Sequence, residues 1–414
     1  MTTTTLAPDP TTSQAPDDAA PAVPARRPQF PLGWLRGVAA LAVVTFHAYQ
    51  HNRDPQTWAW PWDGLAHQLM LGTDLFVDMF FVLSGLVLWL PIAAACAEGD
   101  ASRPGRVLLM RRMARLLPLY YAIVLSVWVL TNPSLPGNWQ DLAMHLTFTH
   151  VYSDQYIFWT DGPAWSLAVE FHFYLLMALA VPVVNAVVHR QSSRRARLWT
   201  AASLPVLCAA ITVGYLTWAT LSGPYDPTDW SRWFSPLSRG VDFGAGMALG
   251  VLVAAGVRLR GAVRAGLGIT GLTALAALVV LRPMETVASE WWHPLYAVAV
   301  AVALAGIVLH DGPWSSAWSW KPLVWVGSLG YGIYLIHEPV MRLLGTLGVL
   351  PGPRPGAFFL VTAVLVAVPA AALAWVSSRT LEPAGLRLLA MTDRHGQPRD
   401  YYQHLAEEDR LEKV

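Results

Sequence analysis

Apolar side chains fill ten long stretches of this sequence, and most of the charge is crowded into the gaps between them. The stretches run over 33–51, 69–95, 116–131, 164–188, 199–221, 236–257, 265–281, 291–309, 322–345 and 356–378. A bilayer core about 30 Å thick takes roughly 17 to 25 helical residues to cross. Backbone polar groups in lipid must pair within their own segment or around a closed barrel, and barrel strands would show alternating segments of about ten residues instead. The spacing therefore predicts an all-α fold: a polytopic transmembrane helix bundle of about ten helices. Only 13% of the 414 residues are charged, against about 25% in soluble domains. That is too little polar surface for two or three water-soluble domains.

The connecting segments sort by arginine content, which sets orientation. One side collects Arg26 and Arg27, then Arg103, Arg106, Arg111, Arg112 and Arg115, then Arg190, Arg194, Arg195 and Arg197, then Arg258, Arg260 and Arg264, Lys321 and the C-terminal tail. The other holds Arg53, Arg232, Arg282 and Arg354. Both termini are thus expected in the cytoplasm, with the chain multi-pass in a plasma membrane. Lys321 and Lys413 are the only lysines among 28 basic residues, so 28 − 2 = 26 are arginine, a bias typical of GC-rich bacterial genomes. Residues 1–28, rich in Thr, Pro, Ala and Asp, are expected to be a disordered tail. Residues 29–385 form the membrane domain and 386–414 a charged cytoplasmic tail. No cleavable signal segment is expected at the start. A net charge of +1, scattered between apolar runs, points away from nucleic acid. Cys96 and Cys208 lie in apolar surroundings and read as packing residues, and no metal site is expected. The 132–163 segment lacks Lys and Arg and carries Trp139, Tyr152, Tyr156 and Trp159, with Trp165 just beyond. It reads as an outer aromatic belt.

Titratable groups inside a span cost roughly 2.5 to 3.5 kcal/mol on insertion scales, so each needs a reason. They are Arg36 and His47, Asp74 and Asp78, Glu170 and His172, Asp242, and His337 with Glu338. Arg36 and His47 are eleven residues apart, three helical turns plus about 20°, so they share a face about 16 Å apart along the axis. Arg36 serves either as a snorkelling anchor or as a ligand contact. The expected topology puts Asp74, Asp78, Glu170, Asp242 and His337 at a depth similar to His47, as a pocket for acid–base chemistry would require. Asp74 and Asp78 could instead be solvated at the interface. Arg112 and Arg115 offer an i,i+3 guanidinium face for phosphate, or simply set topology. Ser84-Gly85 reads as a close helix contact or a ligand approach.

Together these segments resemble the acyltransferase 3 family of integral membrane O-acyltransferases. The resemblance is carried by Leu35-Arg36-Gly37 with Phe46-His47, matching Arg-x10-His, and by Phe80-Phe81-Val82-Leu83-Ser84-Gly85. It continues through Arg112-Met113-Ala114-Arg115 with Pro118 and Tyr120, Trp165-Ser166-Leu167 with Glu170 and Tyr174, and Gly327, Gly330, Tyr334, Leu335 and His337. Nearly the whole membrane domain is covered. Two features depart from the family: Leu86 follows Ser-Gly, and Phe171-His172 replaces a Glu-Gln pair. The resemblance implies ten spans, acyl-CoA as donor and no permanently bound cofactor. It also implies transfer of an acetyl or other short acyl group to a hydroxyl of a carbohydrate, glycolipid or macrolide. The soluble esterase-like domain of some members is not expected after Ser378, which leaves transfer to the membrane pocket.

In the mechanism this suggests, Arg36, Arg112 and Arg115 hold the phosphates of acyl-CoA, with acetyl-CoA the expected co-substrate, at the cytoplasmic mouth. His47, whose type titrates near about 6.5, is the general base, and Glu170 orients it. Ser84, Asp74, Asp78, Trp165 and His337 are the candidate pocket lining. An acyl-histidine relay is the mechanistic rival. A transporter or flippase of a glycan or lipid-linked substrate, using the same polar pocket, is the rival function.

Overall fold

The structure is a computed structural model that describes residues 32–283, 286–310 and 320–392. The tail expected at 1–28, with Arg26 and Arg27, and residues 393–414 of the tail expected at 386–414 lie outside the described residues. All regular structure among the described residues is helical. Helix α1 is Gly33–His51, and α2, Gly64–Leu71, passes through a 3-10 turn at Gly72–Leu75 into α3, Phe76–Glu98. Then come α4 (Gly105–Thr131), α5 (Trp139–Leu146), α6 (Ala164–Val188), α7 (Arg194–Leu221) and α8 (Trp230–Trp233). A second 3-10 turn leads into α9 (Gly240–Ala254), followed by α10 (Gly261–Leu281) and α11 (Ala288–Val308). The chain closes with α12 (Lys321–Ser328), α13 (Gly330–Thr346), α14 (Phe359–Arg379) and α15 (Leu381–Thr392).

Each of the ten apolar stretches is helical, and eight helices among the described residues are long and apolar enough to cross a membrane. Helix α1 and the α12–α13 pair fall outside that set. The ninth stretch, expected as one helix, is broken at Leu329 between Ser328 and Gly330. The domain boundary expected at residue 385 falls inside α15, which packs along α4 with Gly385 against the Ala114 carbonyl.

Local chemistry sets several helix ends. Asn52 closes α1 by donating from Nδ2 to Ala48 O at 2.9 Å, and it also donates to Thr362 Oγ1 on α14 at 2.9 Å. Gly99 ends α3 with φ 87°, the left-handed region that favours glycine.

Lipid tails are as apolar as leucine, so helices in a bilayer associate through close packing and buried hydrogen bonds. The most extensive pairing is α3 with α9. There a side chain on Gly85 would collide with the Phe243 carbonyl, and one on Gly246 with the Val82 carbonyl. Ser84-Gly85 is therefore at least a close backbone approach. Phe243 fills the centre, stacked on Phe173 at 3.9 Å and on Phe81 at 4.9 Å. Helix α12 meets α1 in the same way, Gly327 against the Gly33 carbonyl and Gly37 against that of Leu323. Trp89 donates to Ala201 O at 2.9 Å and Tyr331 to Leu116 O at 2.7 Å, tying α3 to α7 and α13 to α4. These contacts place α1, α3, α6 and α13 around a shared interior.

Candidate active site

Helices α1 and α13 present their titratable groups to each other. The His337 Nε2 and His47 Nδ1 atoms lie 2.9 Å apart, with ring centroids at 4.9 Å. His337 is fully buried and His47 half-buried. Nearer the start of α1, the Cβ of Arg36 comes within 3.9 Å of where a side chain on Gly330 would begin. Arg36 thus meets the first residue of α13 and His47 its eighth. The two helices run parallel, and both α1 residues face α13. The unbroken helix puts Arg36 about 16 Å from His47 along its axis.

Glu170 belongs to a different group. Its Oε1 accepts from Ser84 Oγ at 2.7 Å. Tyr174, one turn further along α6, is within hydrogen-bonding reach of Glu170 and feels the charges of Arg112 and Arg115. Arg115 also approaches Glu382 of α15 at 4.0 Å. Glu170 was expected to orient His47, but the group hydrogen-bonded to that imidazole is His337. The reason is helical register: on α6 the Glu170 side chain faces α3 at Ser84, whereas α13 supplies the neighbour to α1.

Asp78 is buried and Asp74 partly exposed, and neither is linked to the imidazole pair by a hydrogen bond. Both Asp74 oxygens accept from Arg282 Nη1 at 2.7 Å. Arg282 Nη2 lies 3.2 Å from His293 Nε2, and His293 Nδ1 lies 2.8 Å from Asp78 Oδ2. Asp242, fully buried on α9, lies within hydrogen-bonding reach of Asp78. The chain of groups staples α10 and α11 to α3 and its preceding turn. Trp165 packs edge-on against Phe81 and Phe234 at 6.2 and 4.5 Å, with the buried Arg239 guanidinium 5.8 Å from its ring. His172 holds the Ala168 carbonyl at 2.7 Å.

A further polar cluster lies under the outer segment. His145 and His150 stack at 4.0 Å with rings 5° apart, and Asp141, paired to His145 at 3.1 Å, also accepts from Thr160. Asp161 beside them is completely buried. Burial, then the Glu338 carboxylate, pushes its carboxyl well above the usual range against the pull of Arg342. Burial and neighbouring His145 push His150 well below the ordinary histidine value. Arg342 on α13 clamps this segment, donating to the carbonyls of Trp159, Thr160 and Phe158 at 3.0, 3.2 and 3.3 Å and to Glu338 at 2.9 Å. Tyr334, also on α13, accepts from Ser166 Oγ at 2.8 Å.

Arg239, Arg282, His293 and the 141–161 cluster were missed from sequence. Arg239 and His293 lie inside apolar stretches, where the rule that an intramembrane titratable group needs a reason would have found them. The outer cluster gave no such signal, because its residues fall between stretches. An open depression of about 430 Å³ near Tyr215, Trp218 and Arg232 is lined by none of the expected site residues.

Comparison with known proteins adds a family. The family model described as "Acyltransferase domain", that of acyltransferase 3, matches residues 32–377. The provisionally named peptidoglycan O-acetyltransferase YrhL of Bacillus subtilis (strain 168) is 28% identical over 342 residues, covering 75% of this chain and 48% of that protein. The peptidoglycan O-acetyltransferase OatA of Listeria monocytogenes is 28% identical over 337 residues, covering 75% of this chain and 49% of that protein. The chain thus spans about half the length of the curated relatives it matches. No solved structure matches it significantly.

Proposed function

The chain belongs to the acyltransferase 3 family, and we propose that this multi-pass bacterial membrane protein transfers an acetyl or other short acyl group from acyl-CoA to a hydroxyl of a glycan. The observation that carries this reading is the half-buried His47 on the α1 face that also bears Arg36, set against a second imidazole inside the bundle. A glycan acceptor accords with the names of both relatives.

The proposed division of labour assigns each group a role. Arg36, Arg112 and Arg115 bind the nucleotide phosphates at the cytoplasmic end, where bidentate guanidinium contacts suit them. Glu170, which accepts from Ser84 and lies within hydrogen-bonding reach of Tyr174, braces this part of the bundle rather than the imidazole. The pantetheine arm runs along α1 and brings the thioester to His47. His47 takes the proton of the acceptor hydroxyl as its oxygen attacks the thioester carbonyl. The new C–O bond forms, the C–S bond breaks, and the proton leaves on the coenzyme sulfur as free thiol. The half-buried His47 keeps access to an incoming hydroxyl, while His337 is sealed behind it.

Purified protein in lipid nanodiscs, given radiolabelled acetyl-CoA and cell-wall glycan, should release thiol and label the glycan. His47→Ala should abolish both while leaving donor binding intact. Movement of unmodified glycan across a vesicle membrane without thiol release would instead identify a transporter. Label retained on protein incubated with donor alone would identify an acyl-enzyme route.

A further inference from the structure

Two imidazoles 2.9 Å apart must agree on which of them donates, and nearby carbonyls settle the question. His337 Nδ1 lies 2.6 Å from Tyr334 O and 3.2 Å from Ile333 O. A carbonyl oxygen only accepts, so a nitrogen this close to one must carry the hydrogen. With Nδ1 protonated, a neutral His337 has its lone pair on Nε2, the atom facing His47. His47 Nδ1 lies between that lone pair and a second acceptor, the Val43 carbonyl at 3.1 Å. Both neighbours require His47 Nδ1 to be the protonated nitrogen. The reverse assignment would need a charged, fully buried His337 and would turn two lone pairs, those of His47 Nδ1 and Val43 O, toward each other. In a neutral imidazole only one nitrogen carries hydrogen. His47 Nε2 therefore has the free lone pair, and it has no hydrogen-bond partner among the described residues.

We propose that His337 is a positioning residue that locks His47 in its Nδ1–H form and so selects Nε2 as the atom that takes the acceptor's proton. The assignment extends the acyl-transfer reading and rests on it for its catalytic meaning. The proton moves from the acceptor hydroxyl to Nε2, and the imidazolium then donates from Nδ1 to the neutral His337. No carboxylate is needed, which accounts for Glu170 lying elsewhere. A buried imidazole that can accept but has no hydrogen to give on Nε2 is the chemical requirement, and its own carbonyl contacts, two residues of the same helix, supply it. Tyr334 and Ile333 thus act on the base through one intermediate ring.

The test has two arms. In the first, full-length protein carrying 15N-histidine is studied in nanodiscs, with the His47 signals assigned by comparison with His47→Gln. The wild type should show a protonated Nδ1 and an unprotonated Nε2 at His47; the opposite pattern overturns the proposal whether or not the protein transfers acyl groups. In the second, His337→Leu, which removes the acceptor, should lower kcat by about 100-fold, the lower end of a general base's contribution, with the donor KM little changed. His337→Gln, whose side-chain carbonyl can accept from His47, should recover to within about tenfold of wild type. Equal activity in the two variants, or a kcat for His337→Leu within about threefold of wild type, overturns the proposal. Absence of thiol release from the wild type would defeat the acyl-transfer reading alone, since the labelled-histidine measurement does not depend on turnover.

Discussion

Asp74 and Arg282 should behave as a structural pair, not as substrate ligands, and the costs of breaking it should be unequal. The Arg282 side chain is 8% exposed and that of Asp74 27%. Asp74→Leu leaves a nearly buried guanidinium beside His293 with the Glu290 and Asp78 carboxylates near it but no direct ion pair, and breaking a buried pair in this way costs about 3–5 kcal/mol, here toward the lower figure. Arg282→Met leaves a carboxylate that water can still reach, so its cost should be about 1–2 kcal/mol, discounted for that hydration. The double variant replaces both charges with apolar groups and should be nearer wild type than Asp74→Leu, giving a coupling of about 1–3 kcal/mol. Reversible unfolding of the four proteins in mixed micelles, followed by tryptophan fluorescence, measures the cycle. Thiol release per folded molecule should stay close to wild type in all four. Additive costs would refute the pairing argument. Unchanged stability in Asp74→Leu with a raised acceptor KM would return Asp74 to the substrate pocket.

Three further outcomes are expected. Asp161 has a raised folded value, so it binds more protons in the folded than in the unfolded protein above about pH 4; its contribution is complete below that and is lost as pH rises through the folded value. His150 has a depressed value, so the folded protein loses stability as pH falls below about 6.5. Stability measured from pH 5 to 8 should therefore fall less steeply toward alkali in Asp161→Asn and less steeply toward acid in His150→Phe. Arg112→Ala should raise the donor KM about tenfold or more with kcat nearly unchanged, as loss of uniform binding predicts, and donor titration of thiol release checks it. Gly246→Val should force α3 from α9 at a cost of at least about 1–3 kcal/mol, seen as a lower yield of monodisperse protein.

The bundle was legible in sequence to the extent that apolarity encodes it. The stretches 33–51 and 164–188 coincide with α1 and α6 residue for residue; Pro163 and His189 flank α6, and Asn52 closes α1. The break at Leu329 was not visible, since the one residue outside the helices is itself apolar and leaves the hydrophobic run uninterrupted. The shared face of Arg36 and His47 was readable because helical periodicity alone determines it. Which side chain meets His47 was not, because it depends on how α1 and α13, 290 positions apart at the contact, are brought together. Asp74 and Arg282 show the same limit: the charges were visible, their pairing across 208 positions was not. Depth in the bilayer could be inferred from chain direction, but depth alone does not say which neighbours share a compartment.

Arg342 stands five residues beyond His337 on the same helix, past Pro339 and about 7.5 Å along its axis, and grips three consecutive carbonyls of the outer segment. The roof of the protein and the buried His337 imidazole are thus mounted on one helix. A guest that had to lift residues 158–160 to enter would tug on the same helix that aims the base, so admission from outside and readiness for chemistry are mechanically geared to each other.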